Sequence, residues 1–171
     1  MEFIEQIKSA IPDHAKDIRL NLDAVLQRSS LEPTEAIASA LAAAYAAGSA
    51  TIVRALEASG IDANEITAAK TAAALMGMNN IWYPYVEMSG DAELAKQRAE
   101  LRMNAYASHG GTSKRRFETY ALAASAIGKC HFCVKSHYEL LQKEGLTVTQ
   151  LRDVGRIAAV INAAAQAIEI G

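Results

Sequence analysis

Ala36-Ile37-Ala38-Ser39-Ala40-Leu41-Ala42-Ala43-Ala44-Tyr45-Ala46-Ala47-Gly48-Ser49 decides the class of fold. Alanine has the lowest free-energy cost in a helix interior, and its short side chain lets neighbouring helices approach closely. Similar runs recur at Ala72-Ala73-Ala74 and Ala163-Ala164-Ala165, and alanine fills 35 of the 171 positions. Aromatic residues make up only 6% of the chain, and no stretch of strand length alternates apolar with polar side chains. The expected fold is all-α, a compact multi-helix arrangement.

Composition narrows the function. With 17 Lys plus Arg against 19 Asp plus Glu, the chain lacks the basic excess of a nucleic-acid or anionic-membrane binder. Its 51% apolar content supplies a core, and 3 prolines without Ser/Gly-rich stretches leave no linker, so residues 1–171 are expected to form one domain. Ala36 to Val53 carries no charge over a length that could just span a bilayer, but alanine gains little from hydrocarbon and Gly48-Ser49 breaks the run. The acidic, amphipathic Met1-Glu2-Phe3-Ile4-Glu5-Gln6-Ile7-Lys8 is not an export signal, so the expected location is cytoplasmic. Thiols there are kept reduced, which makes the two cysteines buried filler, metal ligands or a working redox pair.

Punctuation divides the chain into helices. Ile4, Ile7 and Ile11 form a short first helix closed by Pro12, and Asp13 is expected to cap a second with Ile18, Leu22, Val25 and Leu26 inside. Pro33 starts a third that runs to Gly48; Ser49 caps a fourth that stops at Gly60. Asp62 and Glu65 suggest a capping box for a long helix through Met76 and Met78 that Pro84 kinks or ends. A helix opening at Asp91 is expected to carry Leu94, Leu101 and Met103, followed by a loop at Ser108 to Ser113. Three helices complete the chain, at about Ser113–Ile127, Lys129–Lys143 and Thr149 to the end, the last with an interior Gly155. Ala74-Leu75-Met76-Gly77-Met78-Asn79 echoes Ser125-Ala126-Ile127-Gly128-Lys129-Cys130, and Leu101-Arg102 echoes Leu151-Arg152, which suggests duplicated units near residues 60–105 and 112–160. Asn79 and Trp82 then occupy the places of Cys130 and Cys133, so only the second unit can do thiol chemistry.

Both cysteines lie in Gly128-Lys129-Cys130-His131-Phe132-Cys133-Val134-Lys135-Ser136-His137. On a helix beginning near Lys129, Cys130, Cys133 and His137 share one face. The positive end of the helix dipole, Lys129 and His131 all favour a thiolate, which is the form that attacks as a nucleophile. The residues alone leave three readings open. Two small buried cysteines are one. Zinc binding is another, with Glu118, His109 or His14 as a fourth ligand. A dithiol redox site on a helical scaffold is the third, and the favoured one; covalent haem attachment falls because Val134 stands where a histidine is needed. Glu118 is the only carboxylate in the preceding helix and could reach His137, although pattern alone slightly favours an ordinary first-turn Glu stabilised by the dipole.

Glu118, then eleven residues, then Cys130-x-x-Cys133-x-x-x-His137 resembles the active-site pattern of the alkyl hydroperoxidase D family, helical relatives of carboxymuconolactone decarboxylase. Asp17-Ile18-Arg19-Leu20-Asn21-Leu22, Met76-Gly77-Met78-Asn79-Asn80 and Leu101-Arg102-Met103-Asn104 resemble further stretches of that family. The resemblance implies a thiol-dependent alkyl hydroperoxide reductase in which Cys133 attacks the peroxide and becomes a sulfenic acid. Cys130 then resolves it to a disulfide, and His137 with Glu118 relays protons. It further implies reduction by the lipoyl group of an acyltransferase served by dihydrolipoamide dehydrogenase, electron delivery to a partner peroxiredoxin, and a homotrimer. Familiar members carry a histidine immediately before the second cysteine; here Phe132 stands there, and His131, one residue earlier, points about 100° away on a helix. His131 is therefore an uncertain member of the site. A decarboxylase or isomerase using His137 and Glu118, and a zinc-bearing interaction protein, are the rival readings.

Overall fold

A computed structural model describes residues 1–171 as eight α-helices, joined by turns and three short 3₁₀ segments, with no strand. The helices are α1 (Glu2–Ala10), α2 (Lys16–Leu26), α3 (Pro33–Ala46), α4 (Ala50–Glu57), α5 (Ala63–Ser89), α6 (Lys114–Ile127), α7 (His131–Lys143) and α8 (Val148–Ile170). The all-α expectation holds. None of these helices is long and apolar enough to cross a membrane.

Helix α3 is the axis around which the others are arranged, packing against α4, α5, α6 and α8. Its residues Ala36, Ala38, Ala40, Leu41, Ala42, Ala43 and Ala44 are all fully buried. A helix that is apolar on every face can be satisfied only by neighbours on every face. Alanine permits this because the axes of α5 and α6 can come close without displacing large side chains. Larger residues from the surrounding helices, including Ile4, Ile7, Leu22, Ile52, Met76, Phe117 and Ile157, fill the remaining space in one continuous core.

Buried carboxylates tie the helices together. Glu35 on α3 lies 2.6 Å from the Arg115 guanidinium of α6. Glu65 on α5 accepts from Arg116 at 2.6 Å, from the Tyr120 hydroxyl at 2.5 Å and from Thr112 at 2.9 Å. Burial pushes the Tyr120 hydroxyl far up from its ordinary value, and the Glu65 carboxylate beside it adds to the shift, so Tyr120 serves only as a donor. Asp153 on α8 accepts from the Ser30 N–H and hydroxyl, each at 2.8 Å, and from Arg152 and Arg156. That carboxylate pins the α2–α3 connection to the last helix.

Ser49 caps α4 as the punctuation indicates, accepting from the Ile52 N–H. Two further caps set boundaries a residue or two from those expected: Ser113 accepts from the Arg116 N–H ahead of α6, and Thr147 forms a full capping box with Gln150 ahead of α8. Others differ for identifiable reasons. Asp13 does not cap α2; it lies in a 3₁₀ turn and its carboxylate accepts from Arg19. Asp62 precedes α5 without a side-chain cap, and Glu65 turns inward to Arg116 and Tyr120 rather than back to residue 62. Pro84 does not end α5, which continues to Ser89 and stops at Gly90. The helix expected from Asp91 is absent: the Asp91 carboxylate accepts from the N–H groups of Glu93 and Leu94, only Leu94–Lys96 closes a 3₁₀ turn, and Glu100 takes φ 52°. Leu101 is exposed, so this polar segment has no continuous apolar stripe to bury. The glycine-rich loop contains 3₁₀ structure at Asn104–Gly111, and at Gly110 a Cβ would come within 2.4 Å of the Ala68 Cα on α5. Glycine is required there by close approach.

Two outcomes test this arrangement. Burial alone raises the Asp153 carboxyl, but the Ser30 and arginine bonds prevail and hold it down at about 2. Its stabilisation is present at pH values above the unfolded carboxyl's range and is lost as pH falls from about 4 toward about 2. Urea midpoints measured across that window should fall in the native protein and change less in Asp153→Asn. At Gly155, inside α8, a Cβ would meet nothing within 4 Å. Gly155→Ala should stabilise the chain by about 1 kcal/mol in the same assay.

Candidate functional site

The site is built where α6 ends and α7 begins. The Lys129 N–H donates to the Ala126 carbonyl and the Cys130 N–H to the Ser125 carbonyl, while Lys129 adopts φ 54°. This is the paired closure of a Schellman motif, made with lysine in the left-handed position that glycine usually takes. Helix α7 then starts at His131 rather than Lys129, and Cys130 is its N-cap, with Sγ accepting from the Cys133 N–H at 3.2 Å. One residue thus finishes one helix and caps the next.

The long helix α5 holds this corner in place. A Cβ on Gly128 would lie 2.1 Å from the Asn80 side-chain nitrogen, so Asn80 occupies the space that a side chain at 128 would need. From there Asn80 donates to the Ala124 carbonyl at 3.1 Å. The Asn79 carbonyl lies 3.8 Å from the Cys130 sulfur.

Cys130 and Cys133 are joined in a disulfide, with Cα atoms 5.3 Å apart, and both are buried. His137 sits four residues beyond Cys133 on the same face of α7. Its Nδ1 is 2.6 Å from the Glu118 carboxylate and its Nε2 is 3.1 Å from the Met76 sulfur. Glu118 is fully buried on α6 and accepts a second hydrogen bond from the Tyr106 hydroxyl. Both ring nitrogens of His137 therefore face acceptors, so the geometry accommodates a proton on either.

His131 is placed differently. It is exposed, and its Nδ1 faces Glu87 of α5 at 3.3 Å rather than Glu118 or His137. Phe132 stacks on Tyr83 of α5 with ring centroids 4.3 Å apart. A small cavity of about 150 Å³ is bordered by Cys133, His137, Ser136, Met76, Tyr83 and Tyr106, among others. Sequence reasoning did not assign Tyr106, Met76 or Tyr83 to the site, because each reaches it from another element; Asn79 was legible only as the counterpart of Cys130 in the repeated stretch, not as its neighbour. His109 packs against Tyr106 and Phe117, and no cluster of three His, Cys, Asp or Glu residues able to hold a metal is present.

What this arrangement can do chemically is reversible thiol oxidation beside a proton-transfer pair. The names of related proteins agree with the thiol part of that reading. Residues 92–170 match the carboxymuconolactone decarboxylase family. The chain is 44% identical to an alkyl hydroperoxide reductase AhpD of Rhodospirillum centenum, over 97% of this chain and 90% of that protein. It is 43% identical to one of Bradyrhizobium sp. strain BTAi1, over 97% and 93% of the two chains, and 40% identical to one of Maricaulis maris, over 95% of each.

The buried network makes its own prediction. Glu118→Ala leaves the Tyr106 hydroxyl and the His137 Nδ1 without their shared partner, and should cost about 3 kcal/mol in denaturant unfolding. Glu118→Gln, which keeps an acceptor oxygen, should cost clearly less.

Proposed function

The chain belongs to the AhpD family of alkyl hydroperoxide reductases, and on that basis we propose that it reduces organic hydroperoxides through the Cys130–Cys133 pair. The observation that carries this reading is the shared cavity of Cys133 and His137, with His137 bonded to the buried Glu118 at 2.6 Å. Cys133, in the first turn of α7, lies where the positive helix end favours a thiolate.

In the proposed cycle His137 takes the proton of the Cys133 thiol, and the resulting thiolate attacks the terminal oxygen of R–O–O–H. The O–O bond breaks, Cys133 becomes a sulfenic acid, and the leaving alkoxide takes a proton from His137 to depart as alcohol. The Cys130 thiol then attacks the sulfenic sulfur, forming the disulfide and releasing water. Glu118 is the group that balances the imidazolium during both proton transfers. A dithiol must return two electrons. A dihydrolipoyl group on an acyltransferase, recharged by dihydrolipoamide dehydrogenase, is the donor that family membership suggests. Delivery of electrons to a partner peroxiredoxin, a homotrimeric assembly and a cytoplasmic location complete the proposal on the same basis. His131 is left outside the relay, as its pairing with Glu87 supports.

A second reading draws on the carboxymuconolactone decarboxylase match: His137 and Glu118 could work as acid and base without the sulfurs. Thiol alkylation separates the two, since it should leave that chemistry intact and abolish peroxide reduction.

Prereduced protein mixed with one equivalent of organic hydroperoxide should yield the Cys130–Cys133 bridge by peptide mass, and dihydrolipoamide should then restore both thiols. Cys133→Ser should consume no peroxide. Cys130→Ser should react once, accumulate the oxidised Cys133, and stall. Full turnover by Cys133→Ser would overturn the assignment.

A further inference from the structure

The cavity at Cys133, about 150 Å³, can admit a hydroperoxy group and a few carbons but not a long tail. A much larger groove of about 610 Å³ lies next to it between α5 and α7, within the size range of small-molecule sites. Tyr83 and Phe132 border both spaces, so this stacked pair is the wall between them. Beyond the wall the groove presents Trp82 and Val86. Its charged lining is uneven. Glu87 on the α5 side faces His131 at 3.3 Å, whereas Lys135 on the α7 side is exposed and reaches only Glu139, at 3.9 Å, which places the fixed positive charge and the carboxylate of the lining on different helices. An apolar channel with one weakly held cation at its edge complements a hydrocarbon chain ending in a carboxylate.

We propose that this groove binds the tail of a fatty-acid hydroperoxide, with the peroxide end reaching Cys133 past Tyr83 and Phe132 and the carboxylate meeting Lys135. The inference rests on Cys133 being the peroxide-reducing thiol, and it names the substrate class of that site. It also gives Phe132 a role in this chain: an aromatic ring at that position, stacked on Tyr83, supplies apolar wall where an imidazole would be polar.

Trp82 is the only tryptophan and lines the groove, so its emission reports occupancy without any chemistry. Titrating the oxidised, full-length protein with octanoate, decanoate and dodecanoate should give saturable changes, with affinity rising about two- to four-fold per added methylene. Val86→Glu, outside the Cys133 cavity, should weaken decanoate at least about ten-fold. Lys135→Glu should weaken decanoate about five-fold and leave decanol unchanged. No saturable response, an unchanged response in Val86→Glu, or equal affinity for decylammonium would overturn the assignment. In prereduced protein, Val86→Glu should slow disulfide formation by a decanoate-length hydroperoxide while hydrogen peroxide oxidises both proteins at equal rates. Thiols inert to both peroxides would sink the peroxidase reading instead, and the decanoate titration would still decide whether the groove takes a carboxylate-bearing chain.

Discussion

Asn80 stands where a side chain at position 128 would be, and the chemistry of this molecule depends on that substitution of one residue's space for another's. Because Gly128 has no Cβ, α5 can press against the turn between α6 and α7 and bond the Ala124 carbonyl. That contact fixes where α6 stops. The stop fixes Cys130 as the next helix's cap, and the cap fixes the direction in which Cys133 and His137 project. Moving the turn by one residue would rotate the second cysteine about 100° away from the Glu118 side.

The four buried carboxylates divide into two kinds. Glu35, Glu65 and Asp153 are met by arginines, which hold their charge permanently and hold helices together. Glu118 is met by a tyrosine hydroxyl and a histidine ring, neither of which carries a fixed charge. A buried carboxylate hydrogen-bonded to an imidazole forms a pair of the kind that can pass a proton. Glu118 thus differs from the other three in its partners rather than in its burial.

The helical class and the arrangement Cys130, Cys133, His137 were legible in the chain because both are local: alanine propensity and a spacing of three and four residues act within a single helix. The cap at Ser49 was legible for the same reason. Asp62 with Glu65 misled because the deeper need of the fold, a partner for Arg116 and Tyr120, outweighed a surface capping bond. The segment after Asp91 misled because helix-compatible residues do not form a helix without a face to bury. Tyr106 and Met76 were out of reach altogether, since their nearness to His137 exists only once α5 and the glycine-rich loop have docked.

The two sulfurs span only a helix cap and its third residue, a separation of 3 in the chain. A ring this small restrains little of the unfolded polypeptide, on the order of 2 kcal/mol in the chain-entropy view against about 3 for a fifteen-residue loop. The molecule's cohesion comes from its alanine-packed interior instead. The bridge therefore sits on this molecule as a terminal sits on a battery, at one corner and apart from the casing that holds the rest together.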